Sequence, residues 1–304
     1  MANYNFLKEA KVYIEYSSSL YKIDISTVSF SQTFTENSYA VKTIHEQKMF
    51  EGSVINKVNP ADFNFTIPYL KEGDLSIVFS RLQDCATFNL YISTEQNSFK
   101  LENCVITNGS FVIEKLRPLS LSISGEGIKL SILSGGSLTA FQALVTGMVA
   151  RSPTTTYSRV TIPSLLIGGV DISSSVVSLS IELQNEIDWQ PYATVNKAVT
   201  VTNAATSMYP ARFDIQKKIL AGSITRYLAD TTHALTWNSN TSLFIRVGSG
   251  TGGAFRGYEL NTTSCSFTNR IQASSIFMEE FNWRMIQNPS SLSSVLKEYN
   301  NNGS

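Results

Sequence analysis

The sequence predicts a mainly β chain: two tandem, structurally similar β-sandwich or half-barrel domains, each with one helix packed on it. Three observations carry this expectation. Apolar and polar residues alternate with a period of two along segments of both halves. Matching segments recur in the same order, about 147 to 161 residues apart. A Gly135-Gly136 step and a Pro-Thr run interrupt the chain near residues 131–158.

Taken in chain order, the first alternating segment sets Val28, Phe30 and Phe34 against Ser29, Ser31, Thr33 and Thr35. Successive strand residues point to opposite faces, so this pattern reads as a strand with one dry and one wet face. Asp74 then starts a helix with Leu75, Val78, Phe79 and Leu82 on one stripe. Leu119, Leu121 and Ile123 alternate with serines in the strand that closes the first half. A further helix is expected over about Ser137–Val149.

The second half repeats the plan. Val177, Leu179, Ile181 and Leu183 alternate with Ser178, Ser180, Glu182 and Gln184. A helix is expected from Ser223, with Ile224, Tyr227 and Leu228 on its stripe. The closing strand carries Phe277, Phe281, Trp283 and Met285 on one face, and Glu279 interrupts that face. Asp-Ile-Ser at 24–26 falls on Asp-Ile-Ser at 171–173, and "FKLENCVITN" from Phe99 falls on "YELNTTSCSFTN" from Tyr258. These segments divide the chain into a first domain (1–133), a linker with a short helix (134–157), a second domain (158–287) and a polar C-terminal arm (288–304).

Composition narrows the function. Hydrophobic residues make up 42%, enough for a proper core. Basic and acidic residues number 24 each, which argues against a dedicated nucleic-acid binder. The halves differ little: residues 1–150 hold 12 basic and 14 acidic groups, and 151–304 hold 12 and 10. Charged residues are 16% of the chain, against about 25% in an average domain. A low-charge polar surface suits a protein whose surface is covered by further copies of itself. Cys85, Cys104 and Cys265 have no metal-ligand spacing and read as small buried residues. The start, MANYNFLKEA, lacks the charged-then-apolar order of a secretory signal. The most apolar stretch, near Leu138–Ala150, falls short of the ~20 residues needed to span a bilayer. The expectation is a soluble chain made in a host cytoplasm and inserted in no membrane.

Nothing in the sequence supports catalysis. His45 and His233 stand apart from any nucleophile or ligand motif. "GSGTGGAFRG" from Gly248 lacks the Gly-Lys-Ser/Thr of a phosphate cradle and reads as a hairpin tip. Asp24 and Asp171 recur at equivalent strand starts and read as turn or contact residues. No catalytic residue, cofactor site or metal site is therefore expected, and the protein reads as a non-enzyme.

A strand-rich domain with one packed helix, a long polar segment between its second and third strands, and the passage N-x-x-N-P-A-D-F-N-F-T-I-P from Asn56 together resemble the tail-tube proteins of tailed phages. The resemblance covers about residues 8–286. Its tandem form resembles long-tailed phages in which the tube protein fuses two such domains. It implies a virion structural protein that forms homotrimeric, pseudo-hexameric rings around a β-barrel lumen. Stacked rings would make the tail tube, a conduit for DNA ejection. The implied partners are further copies of the chain, the tail tip, tape measure and terminator proteins, and DNA passing without specific binding. Loops at about Thr35–Asn59 and Gln184–Thr206 would bridge rings. Lumen-facing candidates are Ser29, Ser31, Thr33, Ser178, Ser180 and Glu182. The alternative is a β-sandwich adhesin, or a tail-end terminator or baseplate-hub component; Trp189 and Trp237 are the loop tryptophans available to an adhesin.

Overall fold

A computed structural model describes residues 7–39, 52–71, 73–114, 117–148, 161–191, 209–228, 240–250, 252–273, 275–287, 289 and 291–299. His45, His233, Trp237 and the tips of both long loops lie outside them. The chain is mostly strand. In the first part these are β1 (Lys11–Tyr16), β2 (Ser19–Ile23), β3 (Thr27–Ser31), β4 (Phe34–Tyr39), β5 (Gly52–Val58) and β6 (Ala61–Ile67). Helix α1 (Asp74–Asp84) follows, then β7 (Phe88–Ser93), β8 (Ser98–Glu114), β9 (Ser120–Gly127), β10 (Lys129–Ile132) and helix α2 (Gly135–Thr146). The second part holds β11 (Thr161–Ile167), β12 (Val170–Asp171), β13 (Val176–Pro191), β14 (Pro210–Tyr227), β15 (Thr241–Ser249), β16 (Arg256–Gln272), β17 (Met278–Met285) and β18 (Leu296–Tyr299).

All strand pairs are antiparallel, and the two parts pair alike. β1 pairs β2 and β7, β3 pairs β6, β6 pairs β9, and β8 pairs β7, β9 and β10. In the same order, β11 pairs β12 and β15, β13 pairs β14, β14 pairs β17, and β16 pairs β15, β17 and β18. The separate β4–β5 ribbon occupies the place of the distal halves of β13 and β14. Registers correspond as well. The cross-strand row Val28–Phe65–Ile123–Gly109 has its counterpart in Leu179–Ile224–Phe281–Asn269.

The next row shows a trade of bulk between the parts. Phe63 faces Gly125 in the first, and Gly222 faces Trp283 in the second. A methyl group at Gly125 would run into the Phe63 ring, and one at Gly222 would lie 2.8 Å from the Trp283 ring. Each ring therefore fills the space above a bare backbone, with the aromatic residue on opposite members of the strand pair.

The long strands β8 and β16 serve two layers each. Ser98–Cys104 of β8 lies beside β7, and Val105–Val112 lies beside β9, with a register shift between Ile106 and Asn108. A bulge there lets one strand turn between layers. β8 also joins the two parts, pairing Asn108–Glu114 with Ser178–Gln184 of β13. Phe111, Ile113, Ile181, Val247, Tyr258, Leu260 and Leu296 close a dry seam at this junction. Among the described residues one continuous sheet of sixteen strands results.

α1 bolts the junction. Its apolar stripe is buried through Ile77, Val78 and Leu82, and Leu82 occupies the space that a side chain at Gly109 would need. Asp74 closes the entry turn by accepting the Lys71 N–H at 2.7 Å. At the C-terminal end of α1, where carbonyls lack helical partners, Asn185 donates to Leu82 O at 2.8 Å and the Lys218 ammonium donates to Gln83 O. α2 seats Phe141 on Tyr91, with ring centroids 4.8 Å apart.

Some expectations need correction. The helix expected from Ser223 is a strand: Ser223–Tyr227 belongs to β14, with Ser223 opposite Ser180 and Ile224 opposite Leu179. Among the described residues both helices fall before residue 147, so a packed helix per domain is not observed. Phe277 lies just ahead of β17 and is exposed, as is Phe34 at the start of β4. The segment read as a polar arm contains β18, and its Val295 and Leu296 are buried.

Candidate assembly surfaces

Eight strands run side by side in the order β3-β6-β9-β8-β13-β14-β17-β16. One cross-strand row reads Thr27, Thr66, Ser122, Ser110, Glu182, Ala221, Arg284, Ser266. Since side chains alternate along a strand, this row fixes which residues share its face. Ser29 and Ser31 lie on the same side of β3 as Thr27, and Ser178 and Ser180 on the same side of β13 as Glu182. The structure thus brings Ser29, Ser31, Ser178, Ser180 and Glu182 onto one polar face. Thr33 sits in the break between β3 and β4, exposed, with its hydroxyl accepting from Asn59 Nδ2 at 2.9 Å.

The face is cross-linked by short polar contacts. Ser180 and Ser223 hydroxyls meet at 2.8 Å, Thr66 and Ser122 at 3.3 Å, and Asn108 donates to Glu182 at 3.1 Å. Strand alternation already put Glu182, Glu280 and Arg284 on the polar sides of their strands, and the cross-strand rows add further charges. Asp62, Glu114, Glu126, Glu182, Glu186 and Glu280 share it with Lys217, Arg270 and Arg284, six carboxylates against three cations. Two of these carboxylates are tied down. Glu280 accepts from Arg270 at 2.6 Å and from Gln272 at 2.8 Å. Glu126 accepts the Trp189 indole N–H, and burial raises its pKa while that hydrogen bond opposes the rise.

The opposite face is core. In the second part it holds a polar cluster: Glu279 accepts Arg226 at 2.7 Å and Asn269 at 3.1 Å. Its counterparts in the first part, Ile67, Leu121 and Gly109, are apolar, and Leu82 of α1 lies over Gly109. Asp171 makes a turn by accepting the Ser173 N–H at 2.9 Å, and Asp24 holds the Lys71 ammonium. Cys85, Cys104 and Cys265 are buried thiols, and burial pushes each of them up. Among the described residues no cluster of three metal-ligating side chains occurs, and no helix is long and apolar enough to cross a membrane.

Two comparisons with known proteins bear on this arrangement. Residues 2–82 match the model of the Bacteriophage Baseplate Tube Protein Family. The chain is also 27% identical over 151 residues to baseplate tube protein p140 of Escherichia phage T5. That similarity covers 43% of this chain and about half, 50%, of the relative's length. Both similarities are to phage baseplate tube proteins, which are structural components of the virion and not enzymes.

Proposed function

We propose that this chain is a structural subunit of a phage tail tube, in which three copies close a pseudo-hexameric ring around a lumen lined by the polar eight-strand face. The observation that carries the reading is the repeated pairing scheme with its in-chain β8–β13 join. Two equivalent domains joined edge to edge offer six domain positions from three chains, and sheet closure removes every open edge. The similarity of residues 2–82 to a baseplate tube family supports the tail assignment. Tandem duplication of one domain is part of the same proposal, with the boundaries set out above.

The mechanism is physical. Ser29, Ser31, Thr33, Ser178, Ser180 and Glu182 would face the lumen. The acid excess of that face gives phosphates nothing to hold, so DNA slides rather than binds. The β4–β5 ribbon and the distal β13–β14 ribbon would make the ring-to-ring contacts.

A second reading is favoured by the family description itself. A baseplate tube protein belongs at the tail end, so the rings would form a short baseplate segment rather than the length of the tail. Negative-stain electron microscopy across a concentration series, with the mass of the soluble species measured alongside, tests both. Stacked hollow rings of three chains are expected for a tube; single trimeric rings at every concentration point to the baseplate segment. A monomer throughout, even with tail-tip complexes added, overturns the ring proposal.

A further inference from the structure

The in-chain junction uses one edge of each part, and the equivalent edges on the far sides are unpaired among the described residues. β13 is paired on both sides, by β14 and by β8. Its counterpart β3 is paired by β6 alone among the described residues. Likewise Asn108–Val112 of β8 lies between β9 and β13, whereas its counterpart, Thr268–Gln272 of β16, has only β17 among the described residues. Among the described residues, one edge on each part therefore lacks the strand that its equivalent has.

The register of the missing pair can be counted. In the junction, Ile181 lies opposite Phe111, and both are buried, at 5% and 4% exposure. Ile181 is two residues beyond Leu179, whose counterpart is Val28, so Ile181 corresponds to Phe30. Phe111 is two residues beyond Gly109, whose counterpart is Asn269, so Phe111 corresponds to Ile271. Ile271 is 57% exposed, and Thr268, Asn269 and Arg270 beside it are exposed too. A β-branched apolar residue on an uncovered edge is a template for pairing.

We propose that Thr27–Thr33 of one copy pairs antiparallel with Thr268–Gln272 of another. The register sets Phe30 opposite Ile271, Ser29 opposite Gln272 and Ser31 opposite Arg270. This rests on the ring reading and adds its partner surface residue by residue. The occupant is a second copy of this chain, because the same two strand types already pair this way within one chain. Joining them continues the core side through Phe30 and Ile271 and the polar side through Ser29 and Gln272. Arg270 and Ser31 then meet on the polar face, as Ser110 and Glu182 do at the in-chain junction.

The experiment uses two full-length chains, one carrying Ser29→Cys and the other Gln272→Cys, mixed, assembled and mildly oxidised. Residues directly opposite across antiparallel strands lie about 4.5–5.5 Å apart at Cα, within disulfide reach. A disulfide-linked dimer is expected on a non-reducing gel. The control pair, Ser29→Cys with Arg270→Cys, is two residues out of register, about 7–8 Å apart, and is expected to give none. The native thiols are buried and do not compete. Ile271→Asp supplies a second test: it is expected to keep the melting temperature of the unassembled chain and to abolish rings. Rings without the 29–272 cross-link, cross-linking equal to the control, or normal rings from Ile271→Asp would each overturn this register and leave the ring reading intact. Absence of rings from the unsubstituted chain would overturn the reading on which it rests.

Discussion

Glu126 shows how a single carboxylate can be held against its own solvation. Burial favours its neutral form, and the Trp189 indole offsets part of that penalty. An acid whose pKa is raised on folding contributes stability at low pH and loses it as pH climbs through the folded value. Glu126→Gln keeps an acceptor for Trp189 and removes the charge. The variant is expected to melt at or above the native temperature near pH 7, by about 1–3 °C, with the difference vanishing near pH 4. Thermal melts across that range check it; a variant less stable at pH 7 would show that the charge itself is favourable. Glu279 was visible in the sequence as a break in an apolar face. Its partner Arg226 was not, because the segment holding it was assigned to a helix. A buried ion pair needs both members placed on facing strands, and alternation within one strand carries no information about the other.

At the level of elements, the strand pattern was legible wherever one face is dry and the other wet, as in β9 and β13. The helix expected from Ser223 failed because Ile224, Tyr227 and Leu228 satisfy helical spacing, while only Ile224 is buried. Short apolar runs fit both periods, and pairing with β13 decided the outcome. β18 escaped notice for a different reason: it has four residues, two of them charged, and gains its place from partners far along the chain. It pairs with Gly257–Leu260 of β16, accepts Gln83 Nε2 at Leu296 O, and places Glu298 on the Gly73 N–H. The C-terminal strand thus clasps the helix of the first part to the sheet of the second. Leu296→Ala is expected to destabilise the fold by about 2–4 kcal/mol, since it empties a site in the junction seam. Urea unfolding measures this; a loss below about 1 kcal/mol would mean that the strand is dispensable.

For the molecule as a whole, the expectation of segments recurring in one order stands beside a pairing scheme that is alike in the two parts. The eight-strand face was legible only in part. Serines of β3 and β13 could be read off, and so could Glu280 beside Phe281, whereas Asp62 and Glu114 join them only through cross-strand rows that no local pattern reveals. The two parts are held by the β8–β13 ladder, the dry seam and the ends of α1, and not by the segment at 149–160 alone. A chain cleaved once within that segment is therefore expected to run as a 1:1 complex on size exclusion, and separate elution of the pieces would contradict this.

The opposed placement of aromatic ring and glycine has a consequence for how the gene can change. A crossover that copied β9 over β17 would set Gly125 against Gly222, leaving a hollow where an indole had stood. The reverse exchange would drive Trp283 into Phe63. Each part is thus a lock cut for its own key, and recombination between them is penalised at the level of folding. That penalty keeps two segments of one gene from being made uniform, while the strand order they share is left untouched.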